Sequence, residues 1–476
     1  MKRRQPTTVS VFFFLACSVL VLGLAGCGGG GGEDEGGEST PSAATGTAAT
    51  ATSGGPVEIT MWHTEVAANL DALQALIRRY NDSQNEVRVK LAFQGEVNEE
   101  MTKLVASLGG GQLPNLVYIN EGHTQRLIDT GAIAPVQEFI DRDKYDLSDL
   151  DKRAVKYYTA DGTLWAMPFA MIIPMLFYNK VTFREVGLDP EKPPTDLEEM
   201  RQFSEKMLER DAHGNLTRSG VAIDINDWHL NLMLQEHGDL FANNDNGRAG
   251  RATEVLFNGP TGQAFFQWWH DMVDEGLALN VGRNPTYADA VLAVATGRAG
   301  MTFASSAHLR SVVDLLDLGL EGGGWELGVA NEPGVPGGTG LPGIYGRALW
   351  ILKSHPDEEQ EAAWKFIKWL MEPEQQAEWY AGSGYLPVSI SAYELPAAKE
   401  IEAKYPQFKV AADLYLGSST TSAPLGPLLG PHLEVADIIV RAAEEMLVGD
   451  KDPVAAINDA ADEANGVLQE YNRRVE

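Results

Sequence analysis

Hydrophobic and polar residues follow two different periods along the chain from residue 57 onward. Residues 57–62 and 87–93 alternate apolar and polar positions, and 116–119 form a short apolar run, as strands do. Residues 69–80 and 101–108 instead repeat apolar positions every three or four residues, which is typical of one face of a helix. Strands that alternate with helices in this way predict parallel α/β sheets.

Turn and capping signals continue this pattern. Asp161-Gly162 predicts a hairpin turn. Thr195 and Glu198 have capping-box spacing, in which the hydroxyl and the carboxylate each accept a backbone N–H, so we expect a helix to open there. The run Asn243-Asn244-Asp245-Asn246-Gly247 lacks the spaced acids of a calcium loop, and its composition predicts a surface turn. A further strand is predicted at 175–178, and further helices at 263–275, 359–371 and from 435 onward.

The N-terminus has the pattern of a secretory leader. Residues 2–4 are basic, residues 11–24 are nearly all apolar, and Leu24-Ala25-Gly26-Cys27 resembles the lipobox of bacterial lipoproteins. We therefore expect residues 1–26 to be a signal peptide and Cys27 to carry the lipid that anchors the protein to the membrane. A transmembrane anchor is the alternative, but the apolar run is shorter than the roughly 20 residues that a spanning helix needs.

The segment after the lipobox differs in composition from the rest. Residues 27–56 are rich in Gly, Ser and Thr with a cluster of acidic residues, so we expect the acylated cysteine to be followed by a flexible linker. Residues 57–476 form the expected body. The chain has two cysteines, Cys17 and Cys27, so no disulfide is expected in that body, whose length favours more than one lobe.

Charge and missing signatures exclude several classes of function. The 37 basic and 67 acidic residues give a net charge of −30, which opposes binding to nucleic acid or to an anionic lipid surface. The histidines have no zinc-site spacing, and neither a Gly-x-Ser-x-Gly elbow nor a P-loop is present. We therefore expect no enzyme activity, no metal and no cofactor.

Eight short segments spread over the whole body occur together in an order that is typical of one known family. They are Trp62-His63, 167–169, 174–180, 186–188, 256–260, 297–306, 346–350 and 384–387. In these segments the chain resembles the extracellular solute-binding proteins of ABC sugar importers (the maltodextrin type). Within that family the resemblance is nearest to the glycerol-3-phosphate-binding component.

The resemblance implies a two-lobed α/β fold of the periplasmic-binding-protein type (type II), with a ligand cleft between lobes that are joined by crossing strands. Lobe I is expected at about 57–166 and 305–345, and lobe II at about 167–304 and 346–476. The crossings are expected near residues 166–172, 301–307 and 343–350.

The resemblance also implies ligand-binding residues. Glu121 matches a glutamate that bonds ligand hydroxyls, and Gly346 matches a glycine whose backbone approaches the ligand. The other matches are a pocket tryptophan, a pair of serines at a lobe crossing and a pocket tyrosine, which are Trp228, Ser305, Ser306 and Tyr385.

Some of these positions have simpler alternatives, and others depart from the family. Trp62 is a candidate to stack on a sugar, although Trp62 and Tyr385 could instead be core residues of a lobe. His63, beside Trp62, is better explained as a loop residue than as a ligand contact. Glu121 could merely cap the helix that follows. The tryptophans on predicted helices are expected in the core: Trp268, Trp269, Trp364 and Trp369.

The family's phosphate-binding arginine falls near Leu428 in this chain, so a dianionic ligand loses its bidentate partner there. Arg347, beside Gly346, is a candidate replacement.

We expect this chain to be an extracytoplasmic, lipid-anchored and monomeric protein that captures a sugar or oligosaccharide and delivers it to ABC importer permease subunits. The first alternative ligand is glycerol-3-phosphate or a glycerophosphodiester. The second alternative is a ligand sensor or a carbohydrate-active surface enzyme.

Overall fold

The computed structural model describes residues 55–283, 288–317, 325–418 and 424–476. The predicted signal peptide, Cys27 and the linker up to residue 54 lie outside these residues. Across the four described ranges, no helix combines the length and apolar character needed to cross a membrane.

Fifteen strands occur in the described ranges. They are β1 Val57–His63, β2 Val87–Phe93, β3 Leu116–Asn120, β4 Ile133–Ala134, β5 Thr159–Ala160, β6 Thr163–Leu164, β7 Met167–Ile172, β8 Pro174–Asn179, β9 Glu209–Arg210, β10 Leu216–Ile223, β11 Ala278–Asn280, β12 Ala299–Ser305, β13 Leu327–Asn331, β14 Tyr345–Leu352 and β15 Leu386–Pro387.

Helices connect and cover these strands. They are α1 Ala67–Ser83, α2 Val97–Ser107, α3 Thr124–Asp129, α4 Val136–Asp143, α5 Lys152–Tyr157, α6 Lys180–Glu185, α7 Leu197–Met207, α8 Trp228–His237, the short left-handed α9 Asn243–Gly247, α10 Pro260–Asp274, α11 Ala288–Ala295, α12 Leu309–Asp317, α13 Asp357–Leu370, α14 Pro373–Ser383, α15 Pro396–Lys404, α16 Pro406–Ser418, α17 His432–Leu447 and α18 Pro453–Val475. The predicted α/β alternation is confirmed, and the predicted helices differ from these bounds by a few residues at their ends.

Two mixed sheets organise the body. The first has the order β15-β7-β14-β3-β1-β2, with β4 paired to β14, and the second has the order β11-β10-β12-β8-β13, with β9 paired to β10. Strand β1 is parallel to both β2 and β3, whereas β14 returns antiparallel between β3 and β7. Each sheet carries its own apolar cluster, the first around Trp350, Trp364 and Trp379 and the second around Phe265 and Trp269.

The described residues include three segments, beside β7, β12 and β13, at which the chain passes between the sheets. Strand β7 lies in the first sheet and β8 in the second, with Ile173 alone between them. Strand β12 ends at Ser305 in the second sheet, and α12 then packs against α1 and α14. Residues 332–344 lead from β13 back to β14. Ser306 joins the first two passages, because its N–H donates to the carbonyl of Ile173 at 3.1 Å and its Oγ accepts the Ile173 N–H at 3.3 Å.

The strand pairing corrects the predicted lobe boundaries. Residues 167–172 and 345–352 pair in the first sheet, although they were predicted almost entirely in lobe II. Residues 327–331 were predicted in lobe I but pair with β8 in the second sheet. The physical reason is that a crossing strand stays hydrogen-bonded in its own sheet to its last residue, so the change of sheet comes at the end of the strand.

Two local predictions have different outcomes. At Asp161-Gly162 both residues have positive φ, 50° and 76°, as the tight turn between β5 and β6 requires, so the hairpin is confirmed. Helix α7 begins one residue later than the capping box predicted. Asp196 rather than Thr195 caps it by accepting the Glu199 N–H at 2.8 Å, and the carboxylate of Glu199 accepts the Thr195 N–H at 2.9 Å.

Candidate ligand-binding site

Glu121 lies at the carboxyl end of β3, where a turn of 3₁₀ helix begins. Strand β14 pairs with β3 so that Arg347 lies opposite Asn120, and this register brings the Gly346 N–H within 3.1 Å of Glu121 Oε2. The side chain is buried, and burial raises the pKa of Glu121 to about 7, although the backbone N–H of Gly346 opposes the shift. The resemblance implies that both Glu121 and Gly346 contact a ligand, and in the structure these two residues contact each other.

The strand next to Gly346 leaves no room for a side chain at this position. A Cβ at this position would lie 2.7 Å from the carbonyl oxygen of Ala170 and 2.7 Å from the Sδ of Met171. Both belong to β7, the adjacent strand. The packing of β7 against β14 thus explains the absence of a side chain, which leaves the Gly346 N–H directed at Glu121.

Trp228 belongs to a helix that packs with the second sheet, and it lies near Glu121 and Gly346. It begins α8, and its ring lies 6.3 Å from the ring of Tyr345 in an edge-to-face arrangement. Tyr345 opens β14, next to Gly346, and its hydroxyl accepts a hydrogen bond from Gln235 of α8. Elements from the two sheets therefore meet beside Glu121, with one aromatic ring contributed by each.

The Asn-rich turn α9 holds another segment of the chain in place, a role that its sequence did not reveal. Asn244, Asp245 and Asn246 all have φ near +54°, a left-handed conformation that Asn and Asp tolerate best among non-glycine residues. Asn246 is 1% exposed and donates from its amide to the carbonyl of Leu425 at 2.8 Å, and its own carbonyl accepts the Leu428 N–H at 2.8 Å. The turn was predicted correctly, but Asn246 is buried and holds segment 425–428.

Arg248 follows this turn and supplies a cation that the sequence did not reveal. Its guanidinium donates to the Gly426 carbonyl and lies 4.9 Å from the centre of the Tyr157 ring. Its Nε and Nη2 atoms are buried and have no hydrogen-bond partner among the described residues, and burial lowers its pKa. A Cβ at Gly426 would lie 3.2 Å from Gln235 Nε2, and Gln235 donates to the Tyr345 hydroxyl, so Arg248 lies near the residues around Glu121. Arg248 thus stands next to segment 425–428, in which the resemblance places the family's arginine.

Arg347, the predicted substitute, is already paired. Its Nη1 lies 2.9 Å from Glu65 Oε1 and donates to the Thr64 hydroxyl at 2.6 Å. The hydroxyl of Tyr385 donates to the same Glu65 oxygen at 3.1 Å, and the guanidinium lies 5.6 Å from the Tyr118 ring. Burial on its own lowers the pKa of Arg347, but the Glu65 carboxylate acts together with Tyr385, Tyr118 and Glu100 to outweigh burial, so the net shift is upward. The positive charge of Arg347 is therefore neutralised within the first sheet.

Glu100 of α2 lies beside this ion pair. Its side chain is fully buried, and neither carboxylate oxygen has a hydrogen-bond partner among the described residues. Burial raises the pKa of Glu100 to about 8, and the charge of Arg347 opposes this only in part. Glu100 is therefore mostly protonated at neutral pH, which leaves Glu65 as the counter-ion of Arg347.

The other predicted residues lie at strand ends. His63 is buried at the end of β1, its Nδ1 accepts the Glu65 N–H at 3.2 Å, and burial lowers its pKa to about 4. Trp62 is half-buried and packs against the first apolar cluster. The Oγ of Ser305 lies 3.0 Å from His308 Nδ1, and Ser306 is fully buried against Ile173.

The site therefore forms two neighbouring groups. The ligand-site group is Glu121, Tyr157, Trp228, Arg248, Tyr345 and Gly346. The ion-pair group is Glu65, Glu100, Arg347 and Tyr385. Sequence reasoning missed Tyr157, Arg248, Tyr345, Glu65 and Glu100; the one local signal for any of them was the arginine that directly follows an Asn-Gly turn.

Comparison with known proteins decides the family. A model of the family described as bacterial extracellular solute-binding protein matches residues 75–409, which is more than half of the chain. This chain belongs to the bacterial extracellular solute-binding protein family.

Two curated relatives of this solute-binding protein carry the same name. It is 26% identical over 424 residues to the sn-glycerol-3-phosphate-binding periplasmic protein UgpB of Pectobacterium atrosepticum, covering 87% of this chain and 92% of the relative. It is 27% identical over 423 residues to UgpB of Salmonella typhimurium, covering 87% and 93%. The relatives are thus binding proteins, and the match spans nearly their whole length.

Solved structures agree on the fold of this solute-binding protein. The cyclic alpha-maltosyl-1,6-maltose binding protein from Arthrobacter globiformis matches with a TM-score of 0.69 at 25% identity, covering 87% of this chain and all of the other. UgpB from Mycobacterium tuberculosis, in complex with glycerophosphocholine, matches with a TM-score of 0.68 at 19% identity, covering 89% and 100%. The expected two-lobed α/β fold is confirmed.

Proposed function

We propose that this protein captures a sugar or oligosaccharide between its two sheets and delivers it to the permease subunits of an ABC importer. The observation that carries the proposal is the ligand-site group, in which polar atoms from both sheets converge. The first sheet contributes Glu121 and Gly346, and elements of the second contribute Trp228 and Arg248.

This combination of groups suits a polyol. A glutamate with a pKa near 7 both donates and accepts hydrogen bonds, as sugar hydroxyls require. The buried Nε and Nη2 of Arg248 add two donors, and the Trp228 ring offers a flat apolar face to the C–H surface of a sugar ring. Closure of the two lobes over the ligand would bury it and strengthen each polar contact.

Glycerol-3-phosphate or a glycerophosphodiester is the second candidate ligand. Arg248 favours it, because a guanidinium with two unbonded nitrogens can meet phosphate oxygens in bidentate fashion. The names of the UgpB relatives point the same way. The charge balance is an argument against a phosphate ligand. Arg248 is the one cation in the ligand-site group, and the nearby Arg347 is neutralised by Glu65. We therefore retain the neutral sugar as the proposed ligand.

A thermal-shift screen of the purified protein tests the ligand class. Because a ligand that binds only the folded state raises Tm, neutral oligosaccharides should raise it more than glycerol-3-phosphate or glycerophosphodiesters at equal concentration. W228A should abolish the shift, and W165A, which removes a half-buried tryptophan outside the ligand-site group, should keep it. A shift with glycerol phosphates alone would establish the second candidate. New products of the bound sugar by chromatography would instead show an enzyme.

Membrane fractionation of two cysteine variants tests the proposed lipid anchor, and Cys17 in the leader provides the matched control for Cys27. We propose that Cys27 is acylated, so that the monomeric body works on the outer face of the membrane at the end of the linker. C27S should release the protein from the membrane fraction, whereas C17S, in the apolar part of the leader, should leave it membrane-bound. Equal fractionation of the two variants would rule out acylation of Cys27.

A further inference from the structure

Helix α3 of the first lobe, which contains the first sheet, makes a series of polar contacts with the second lobe. Leu127 of this helix is buried in the apolar cluster of the first sheet, so α3 moves with that lobe. Arg126 and Asp129 are the charged side chains of α3, and each forms an ion pair with a residue far away in the sequence. None of these residues belongs to the ligand-site group.

The first ion pair joins Arg126 to the beginning of α17. Arg126 Nη2 lies 2.7 Å from each carboxylate oxygen of Glu434, and Arg126 Nε donates to the Gly430 carbonyl at 2.7 Å. Helices α17 and α18 bury their apolar faces in the cluster of the second sheet. The pair of Arg126 with Glu434 therefore crosses from one lobe to the other.

The second ion pair joins Asp129 to Arg251 and is more deeply buried. The two terminal nitrogens of Arg251 donate to the two oxygens of Asp129 at 2.9 and 2.7 Å, which is the bidentate geometry of strong arginine–carboxylate pairs. The Asp129 side chain is 6% exposed, so salt screens this pair little. Ala252, which follows Arg251, is buried in the second apolar cluster, so this pair also crosses between the lobes.

Tyr471 of α18 connects the two ion pairs. Its hydroxyl donates to Asp129 at 3.0 Å, and its ring centre lies 5.3 Å from the guanidinium of Arg126. Single exposed ion pairs contribute little to stability, but bidentate pairs and networks contribute more. The contacts of α3 with the second lobe therefore form one network rather than two separate surface pairs.

The order of residues along the chain places this network beside the ligand-site group. Glu121 precedes α3 by one turn of 3₁₀ helix, and Arg251 follows Arg248 by three positions. Glu121 and Arg248 face the ligand site from opposite lobes. Lobes that separate around a ligand must therefore separate between α3 and its partners as well, and we expect both ion pairs to break when the lobes open.

We propose that Arg126, Asp129, Arg251 and Glu434 form an interlobe latch, which holds the lobes together before a ligand binds and so raises the affinity of the ligand site. An interaction that exists only in the closed form shifts the population towards that form. The apparent Kd of a ligand that needs the closed form is its intrinsic Kd divided by the closed fraction. Loss of the latch therefore weakens binding, although no latch residue touches the ligand.

The effect on affinity rests on the proposed function, whereas the effect on the lobes does not. Distance measurement by pulsed EPR on the ligand-free full chain tests the second effect alone. Spin labels on R88C and A212C mark one exposed position in each lobe. C17S and C27S remove the two cysteines of the chain, so the labels attach at these positions only. We expect one main distance in this labelled chain.

Charge-neutral variants of the latch should change that distance. D129N and E434Q should each add a second population, because the lobes open when a latch pair is lost. E444Q is the matched control on α17, since it breaks the bidentate pair of Glu444 with Arg283 inside the second lobe, and it should keep the single distance. The proposal is overturned if both latch variants keep the original distance, or if E444Q changes it as much as they do.

Ligand binding provides the second measurement, with the ligand found in the thermal-shift screen. D129N should weaken binding about 10-fold, a typical strength of coupling between distant sites, mainly through faster dissociation. R251M breaks the same pair from the other side and should act alike, which guards against a D129N chain that does not fold. E444Q should leave both rate constants unchanged. Unchanged affinity in D129N and R251M would overturn the proposal, whereas failure to find a ligand would count against the proposed function and leave the distances to decide.

Discussion

Arg248 and Arg347 lie beside the same site, but different groups surround their guanidinium groups. Arg347 is paired with Glu65 at 2.9 Å and is bonded to Thr64. Arg248 meets backbone carbonyls and an aromatic ring, and two of its nitrogens are buried without a hydrogen-bond partner among the described residues. Both are arginines within the same body, but Arg347 has a carboxylate as its counter-ion, and no described carboxylate lies within ion-pair distance of Arg248.

The difference separates stability from binding. A buried cation with its own carboxylate forms part of the fold, because removing either partner leaves an unpaired charge. A buried cation with unbonded donors costs free energy in the folded state unless a ligand meets it. We therefore expect substitutions at Arg347 to change the free energy of unfolding, and substitutions at Arg248 to change ligand affinity.

The largest expected effect is on stability. R347M should lower the free energy of unfolding by about 3–5 kcal/mol, because it leaves the Glu65 carboxylate buried without its cation. Chemical denaturation measures this loss. R248M is the matched control and should lose clearly less, since it breaks bonds to backbone carbonyls and a contact with the Tyr157 ring but leaves no paired carboxylate without its cation. Equal losses in the two variants would refute the distinction between the arginines.

The next effect depends on pH and concerns Glu100. Its pKa is about 8 in the folded protein against an ordinary 4.5, so its contribution to stability is full below about pH 4.5 and is lost as pH rises through 8. From pH 5 to 8 the free energy of unfolding should fall by roughly 2–4 kcal/mol through this group. E100Q should flatten that decline, measured by denaturation at several pH values. With E400Q, an exposed control, the decline should persist.

A smaller effect is expected on ligand affinity. R248M should weaken binding of the ligand found in the thermal-shift screen about 10- to 100-fold, because hydrogen bonds from a charged donor contribute about 1.5–3 kcal/mol. Calorimetry measures the change. R441M removes the same charge from an exposed position on α17 and should leave affinity unchanged. If R441M weakened binding as much, the effect would be one of net charge.

The smallest effect concerns the turn that positions Arg248. N246A should lower the free energy of unfolding by about 1–2 kcal/mol and weaken ligand binding several-fold, because the bond to Leu425 is lost. N244A is closely matched, since Asn244 has the same left-handed φ of 54° and its side chain donates to the Arg251 carbonyl. The difference between the variants measures the side-chain bonds of Asn246 to Leu425 and Ala242, and identical results would show backbone strain alone.

Much of the fold followed from local patterns. β1, β2, α1 and α2 each bury one face, so the two-residue and 3.6-residue periods located them. Strand β3 is buried on both faces and was located as a short apolar run. Sheet membership could not be predicted in this way, because β7 and β14 are apolar on both faces and carry no sign of which sheet they join. The lobe boundaries were wrong for this reason.

The site was predicted only where the resemblance marked it. Glu121 and Gly346 were both marked, and the pairing of β14 with β3 brings them together. Arg248 was missed because its partner Gly426 is 178 positions away, and Arg347 could not be recognised as paired because Thr64 is 283 positions away. Contacts at such separations depend on tertiary packing, which a local period does not encode.

The reciprocal hydrogen bonds between Ser306 and Ile173 have a mechanical consequence. These bonds join two passages between the sheets at one level. In a protein that closes by hinge motion, we expect passages joined in this way to turn together and to resist sliding past each other. Closure of the lobes should then follow a rotation about this point and bring Trp228 towards Glu121.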